Sequence, residues 1–294
     1  MAEVGRPDNS ISRKVKDTGA GFVGGAVQVL VGQPFDLVKV RLQTGQFSSG
    51  VEAVTQTLKN EGLSAFYKGT TAPLIGVGAC VSVQFYAFHE AKRQLLSYNQ
   101  RTNNSPHQLT YPQFYIAGAT AGLANSFIAS PVEHLRILIQ TQKDAKYKGP
   151  FDAAKHIRQK YGIAGLYRGF TVTLLREVQA YGVWFLTFEY LMAREMAKPE
   201  VASRKDIPAW KLMAFGGLAG EALWLASYPL DVIKSQVQGH PFGSRLTAID
   251  AAKTTFQKSG IKGFWRGIVP TLLRAIPASA STFASVELTL RLLG

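Results

Sequence analysis

The sequence predicts an all-α membrane protein with six transmembrane helices, and three observations carry that expectation. Two motifs each occur three times at one period of about a hundred residues. Every third of the chain holds two long apolar stretches, and paired glycines recur at the same place in each third.

The repeat comes first, because a fixed period decides the architecture before any single element is read. QPFDLVKVRLQ at 33–43 returns as SPVEHLRILIQ at 130–140 and as YPLDVIKSQVQ at 228–238. Pro34, Pro131 and Pro229 thus stand 97 and 98 residues apart. A second block, EGLSAFYKG, YGIAGLYRG and SGIKGFWRG, ends at Gly69, Gly169 and Gly267, 100 and 98 residues apart. Two independent motifs sharing a period divide the chain into homologous thirds, 1–100, 101–200 and 201–294, forming one integrated transmembrane domain.

The elements follow in order. The first span is expected at 14–43, built on the charge-free run Thr18–Phe35. The second, at 69–96, holds the run Gly69–Phe88, and the third, at 110–141, overlaps the run Gln108–Val132. Each run reaches the ~20 residues that a bilayer crossing needs. Charge interrupts the others: Arg176 and Glu177 in 170–194, Glu221 in 209–238, and Arg274 in 268–292. The alternative is six buried helices of a soluble bundle, against which the length of Gln108–Val132 argues. Polar amphipathic pieces near 50–60, 151–160 and 246–258 are expected as short helices along the membrane surface. Gly21 with Gly25, Gly118 with Gly122, and Gly216 with Gly220 repeat a G-x-x-x-G spacing in the first helix of every third. That spacing predicts close helix contacts in lipid.

Composition excludes several classes. Of the 294 residues 46% are hydrophobic and 18% charged, and mean hydropathy is +0.02. This suits membrane helices that face water or one another along one side. A formal charge of +14 fits a soluble surface, a nucleic-acid patch or contact with anionic lipid. Cys80 is the only cysteine, so no intrachain disulfide or thiolate zinc site is expected. HEAKR at 89–93 lacks the second histidine of a zinc-protease motif, and GVGAC at 76–80 lacks the third glycine of a dinucleotide fingerprint. No cofactor, metal or enzymatic constellation is expected. Residues 1–17 mix Arg6, Arg13, Lys14 and Lys16 with Glu3, Asp8 and Asp17, which predicts no cleavable presequence.

Charge beside apolar helix is costly unless it pairs or serves a pathway. Asp36 and Lys39 stand three residues apart, as do Glu133 with Arg136 and Asp231 with Lys234. One helical turn puts each pair on a common face. Both signs at fixed spacing, three times over, argue against simple capping at the interface. The triplicated P-x-[D/E]-x-x-[K/R], with its aromatic–cation–glycine block, resembles the signature of the mitochondrial carrier family over nearly the whole chain. PVEHLR, the pair Arg176–Glu177 and LLRAIPA at 272–278 are most similar to fungal carriers grouped with the carnitine/acylcarnitine and amino-acid branch.

The resemblance implies a threefold pseudosymmetric barrel of six transmembrane helices in the mitochondrial inner membrane, with three short matrix-side helices. It pairs Asp36 with Arg136, Glu133 with Lys234 and Asp231 with Lys39 as a matrix gate. Gln43, Gln140 and Gln238 would brace that gate, and Pro34, Pro131 and Pro229 would kink the helices above it. On the cytoplasmic side it implies a gate from Glu90, Arg93, Glu189 and Glu287. Met192 and Leu290 occupy two of its cation positions, although Arg194 and Arg291 lie close by. A weak cytoplasmic gate and a resting state shifted toward the cytoplasm-open form are expected.

Thirteen residues before those acids stand Val77, Arg176 and Arg274, which the resemblance marks as substrate contact points. An arginine fork suits a carboxylate, and Arg176 with Glu177 could take the remaining charges of a zwitterion. Trp224 suits either the substrate or a packing role, and Glu221 either proton coupling or cation binding, or a helix–helix hydrogen bond. Of the prolines following the contact points Pro277 is present, while Cys80 and Gln179 replace the other two. Gly69, Gly169 and Gly267 open the even helices beside Lys68, Arg168 and Arg266. Such helix starts bind anions, and cardiolipin is the implied lipid, with helix capping the alternative.

The expected function is carriage of a small amino acid or related zwitterionic carboxylate, glutamate first, by alternating access in a monomer. Carnitine or acylcarnitine, or a basic amino acid of the ornithine or arginine type, is the alternative substrate. A basic membrane-associated scaffold is the alternative of another class, and no nucleic-acid partner is expected.

Overall fold

The computed structural model describes residues 11–102, 109–142, 146–201, 203–242 and 246–293. Regular structure among them is helical: α1 Ile11–Gln43, α2 Gly50–Glu61, α3 Thr71–Arg101, α4 Tyr111–Thr141, α5 Pro150–Leu166, α6 Phe170–Met196, α7 Ala209–Gly239, α8 Ala248–Ser259 and α9 Ile268–Leu293. Short 3₁₀ turns at Leu63–Tyr67, Arg204–Asp206 and Ile261–Trp265 join them. The six long helices fall where the spans are expected, and α2, α5 and α8 where the amphipathic pieces are.

The second sequence block explains its own glycines. Gly62, Gly162 and Gly260 have φ of +78°, +69° and +58°, and Gly69, Gly169 and Gly267 have +79°, +76° and +86°. A side chain is strained at such angles. The later glycine of each block also tucks against the next odd helix: a Cβ on Gly69 would lie 3.2 Å from the Arg136 carbonyl oxygen, and one on Gly267 3.2 Å from that of Lys39.

Among the long helices, α3 packs along α4, α4 along α6, α6 along α7, and α9 along α1. α1 with α3, and α7 with α9, touch over much shorter lengths. The C-terminal ends of α1, α4 and α7 also meet one another, and the charged motifs lie there. Helix continues through Pro34, Pro131 and Pro229. Pro131 has no amide for the carbonyl four residues back, and the Tyr167 hydroxyl donates to that Phe127 oxygen at 3.0 Å.

The glycine pairs require a correction. In α4 the expectation stands in the geometry: a Cβ on Gly122 would lie 2.2 Å from the Glu177 carbonyl oxygen, and one on Gly118 2.4 Å from that of Tyr181. At Gly25, Gly216 and Gly220 nothing lies within 4 Å, because α1 and α7 barely touch α3 and α9. The side-chain surroundings of position 21 lie outside what is described. Gly122→Ala is therefore expected to cost about 1–3 kcal/mol through forced separation of α4 and α6. Gly216→Ala should be neutral or stabilising by up to about 1 kcal/mol. Thermal unfolding in detergent distinguishes them.

Large apolar side chains cover the outside of the long helices, with Phe22, Ile75, Phe127, Leu218 and Ile276 all exposed. Among the described residues, one helical stretch, Leu63–Arg101, passes as a membrane crossing by length and apolarity alone. Between α3, α4 and α6, Phe88 stacks on Phe185 with ring centroids 3.7 Å apart, over Ala117 and Ala121.

Candidate functional site

The i, i+3 spacing puts an acid and a cation on one face of each odd helix, and the meeting of α1, α4 and α7 turns those faces together. Each acid then pairs with the cation of a neighbouring helix. Asp36 lies 2.8 Å from Arg136, Glu133 2.8 Å from Lys234, and Asp231 2.7 Å from Lys39. Lys234 also lies 3.3 Å from Asp231 on its own helix. Asp231 and Lys234 are almost fully buried, so the layer persists only because it is paired.

Two arginines join this layer from α6 and α9, the second long helices of the second and third thirds (α3, α6 and α9 being the even-numbered spans and α1, α4 and α7 the odd). Arg176 on α6 pairs with Glu177, and reaches Glu133 at 3.3 Å and Asp231 at 3.6 Å. Arg274 on α9 approaches Asp36 at 3.5 Å. Its stem lies against Gly32, where a Cβ would sit 3.2 Å from Arg274 Cδ. The equivalent residues Ala129 and Ser227 carry side chains, so this opening belongs to the first third alone. Through these contacts the layer contains five cations, Lys39, Arg136, Arg176, Lys234 and Arg274, against four carboxylates, Asp36, Glu133, Glu177 and Asp231. Within these pairs one positive charge is in excess, while Glu221 on α7, outside them, still feels the charge of Arg274. Arg274 and Arg136 keep 23% and 20% of their side chains accessible, against 7% for Arg176.

Other expected site residues fall differently. Val77 is half-buried on α3, and Glu221 half-buried on α7 without an ion pair. The ring of Trp224 covers the Lys39 ammonium at 4.0 Å from its centroid, beside the ion-pair layer. Of the expected braces, Gln43 donates to Asp231 at 2.9 Å. The other two are corrected: Gln238 donates to Thr173, and the Gln140 side chain has no hydrogen-bond partner among the described residues. The heptad spacing is common to all three, but Gln43 and Gln238 meet different neighbours and Gln140 bonds to none among the described residues.

Three polar partners were missed. Gln33, fully buried, accepts from Arg136 at 2.5 Å and donates to the Lys68 carbonyl at 2.7 Å. Asn125, equally hidden, donates to Glu177 at 2.8 Å. A lone amide in an apolar helix is the only signal either gives in the sequence. Arg41 is the third. It donates to both oxygens of Glu61 at 2.5 and 3.0 Å, to Thr57 at 2.8 Å and to the Gln140 carbonyl at 3.3 Å, tying α1 to α2 and α4.

Glu61 is also paired with Lys68. The Arg41 hydrogen bonds, then that of Lys68, hold its carboxyl down at about 2 against burial, which raises it. A folded-state value below the unfolded one stabilises the protein above the unfolded value, and the gain fades as pH falls toward 2. Glu61→Gln should therefore lower the unfolding temperature near pH 7, with the gap to the parent narrowing from pH 5 downward.

At the opposite end the expected gate residues do not pair with one another across helices among the described residues. Arg93 pairs with Glu90 on its own helix, both outward enough to be solvated. Glu189 pairs with Arg204 from the turn before α7, not with Arg194. The side chain of Glu287 lies outside the described residues. The cations expected for lipid have protein partners instead: Lys68 has Glu61, Arg168 donates to the Pro241 carbonyl, and Arg266 donates to that of Phe47.

With this geometry the relationships of the chain follow. The pattern of the family described as mitochondrial carrier protein matches residues 12–99, 107–197 and 205–294. The chain is 46% identical over 291 residues to a glutamate/glycine mitochondrial carrier of Schizosaccharomyces pombe, covering 96% of this chain and 95% of that one. It is 48% identical over 298 residues to a mitochondrial glycine transporter of Saccharomyces cerevisiae, covering 98% and 94%. A mitochondrial carnitine/acylcarnitine carrier protein of Rattus norvegicus is 33% identical over 306 residues, covering 100% and 98%. Three matched segments, each ending its first helix in the paired-charge motif, make this chain a member of the mitochondrial carrier family, multi-pass proteins of the mitochondrial inner membrane.

Proposed function

We propose that the chain carries a small amino acid, glutamate or glycine, across the inner membrane by alternating access within a six-helix barrel. The excess cation beside an accessible Arg274 is the observation that supports this reading. A substrate carboxylate neutralises it, through a planar fork that suits two oxygens. The names of the fungal relatives point the same way.

The ion pairs Asp36–Arg136, Glu133–Lys234 and Asp231–Lys39 are the matrix gate in this reading. Arg274 ties α9 to Asp36, and Arg176 ties α6 to Glu133 and Asp231. A bound carboxylate offers both arginines another partner, which lowers the cost of parting these helices. The substrate thereby shifts the equilibrium through its differential contacts. Buried ion pairs contribute little net stability after desolvation, so both conformations stay within reach. Glu177, oriented by Asn125, is assigned to the substrate ammonium, and Glu221 and Val77 to the cavity wall. Cardiolipin contact at Gly69, Gly169 and Gly267 would rest on the helix N-termini, because the neighbouring cations are engaged. A monomer contains the whole site.

Reconstituted protein should take up labelled glutamate or glycine and be inhibited by each more strongly than by carnitine or ornithine. Stronger inhibition by carnitine would move the assignment to the acylcarnitine branch. Absence of flux with every solute, alongside salt-dependent polyanion binding, would make the protein a scaffold.

A further inference from the structure

We propose that Arg204 is the counter-cation of Glu189 at the intermembrane-space mouth and biases the carrier to rest open on that side. The inference builds on the alternating-access reading above. Glu189 is nearly buried, at 6% exposure, and an ionised carboxylate there must be paired. Its own helix offers Met192 one turn on, also buried, and α9 offers Leu290 at the equivalent position. Arg204 meets the need from outside the repeat pattern. Both ends of its guanidinium fork engage Glu189, Nη2 with Oε2 and Nη1 with Oε1 at 3.3 Å.

The segment holding Arg204 is built to present it. Ser203 and Asp206 cap the 3₁₀ turn reciprocally, the Ser203 amide donating to Asp206 at 2.7 Å. Ile207 buries its side chain against the bundle. Four residues later Lys211 pairs with Glu195 at 2.6 Å, and Lys198 pairs with the same acid at 2.7 Å. The stretch from α6 to α7 is thus strapped to α6 at two carboxylates. Beside it opens a cavity of about 840 Å³, lined by Glu189, Ala193, Arg204, Lys92, Tyr111 and Phe114.

This arrangement coexists with closed matrix-side ion pairs. The cavity that Arg204 borders is lined from α3, α4 and α6, and closing the mouth moves the end of α6, with Glu189, away from the turn that holds Arg204. Glu189 then loses its partner and finds Leu290 where a cation would be needed. The pair therefore stabilises one of the two conformations, and a contact can shift an equilibrium only by such a difference.

The test labels an introduced thiol with a membrane-impermeant maleimide from the intermembrane-space side, in full-length reconstituted protein. The background is Cys80→Ser with Ala193→Cys. No substrate is needed, so the outcome is separate from failure of amino-acid transport. Arg204→Gln, Glu189→Gln and the double variant should all slow labelling equally. A tenfold loss of bias takes an open fraction of ~90% to ~50%, an approximately twofold slowing. The swap Arg204→Glu with Glu189→Arg should restore the parental rate. A purely structural pair would lower the unfolding temperature without changing labelling. Parental labelling in Glu189→Gln, the mildest variant, would overturn the proposal, as would a swap that stays slow.

Discussion

Replacing Arg274 with alanine is expected to abolish uptake while leaving the protein folded. Truncating one partner of a buried charge pair costs about 2–5 kcal/mol, so transport should fall by roughly thirtyfold or more. The fold survives because Asp36 retains Arg136 at 2.8 Å, leaving no orphaned acid. Arg274→Lys should fall between the two, since it keeps the charge but loses the fork that grips two carboxylate oxygens. Initial rates in liposomes, with unfolding temperatures measured beside them, separate loss of contact from loss of structure. Unchanged uptake by Arg274→Ala would remove this residue from the substrate site.

The second large effect is expected at Asp231. Lys39, Lys234, Arg176 and the Gln43 amide all converge on it, and it is 2% exposed. Asp231→Asn preserves the shape and leaves several cations facing one another without their shared partner. Breaking a buried pair in this way costs about 3–5 kcal/mol, so the unfolding midpoint should drop sharply. Adding Lys39→Met removes one of the stranded charges and should recover part of the stability. It should not recover transport, because the latch between α1 and α7 is then absent rather than closed. Chemical unfolding of the single and double variants gives the coupling directly.

These effects show which parts of the site a one-dimensional reading could reach. The ion pairs were legible because charge beside an apolar helix is rare, and its threefold return at fixed spacing assigns each acid a partner once the ring is assumed. The helices were legible for the same reason, through long apolar runs and period. What escaped depends on how far one helix slides or leans against another. G-x-x-x-G is identical in α1, α4 and α7, yet among the described glycines of those pairs close contact forms only at Gly118 and Gly122. Three glutamines share one position, and Gln43 alone reaches a carboxylate. Arg176 occupies an expected contact point, but its cation lies among Glu133, Glu177 and Asp231, a placement that two residues of sequence do not encode. Arg204 escaped because it stands in a connecting turn, outside every repeated motif.

Everything rests on the matrix ends of α1 and α4 parting in each transport cycle. Gln46 and Thr141 lie across that seam, the Gln46 amide donating to the Thr141 carbonyl at 2.7 Å. With Cys80→Ser, Gln46→Cys and Thr141→Cys combined, oxidation should join the two helices and stop uptake, and reductant should restore it. Undiminished uptake by fully cross-linked protein would contradict this.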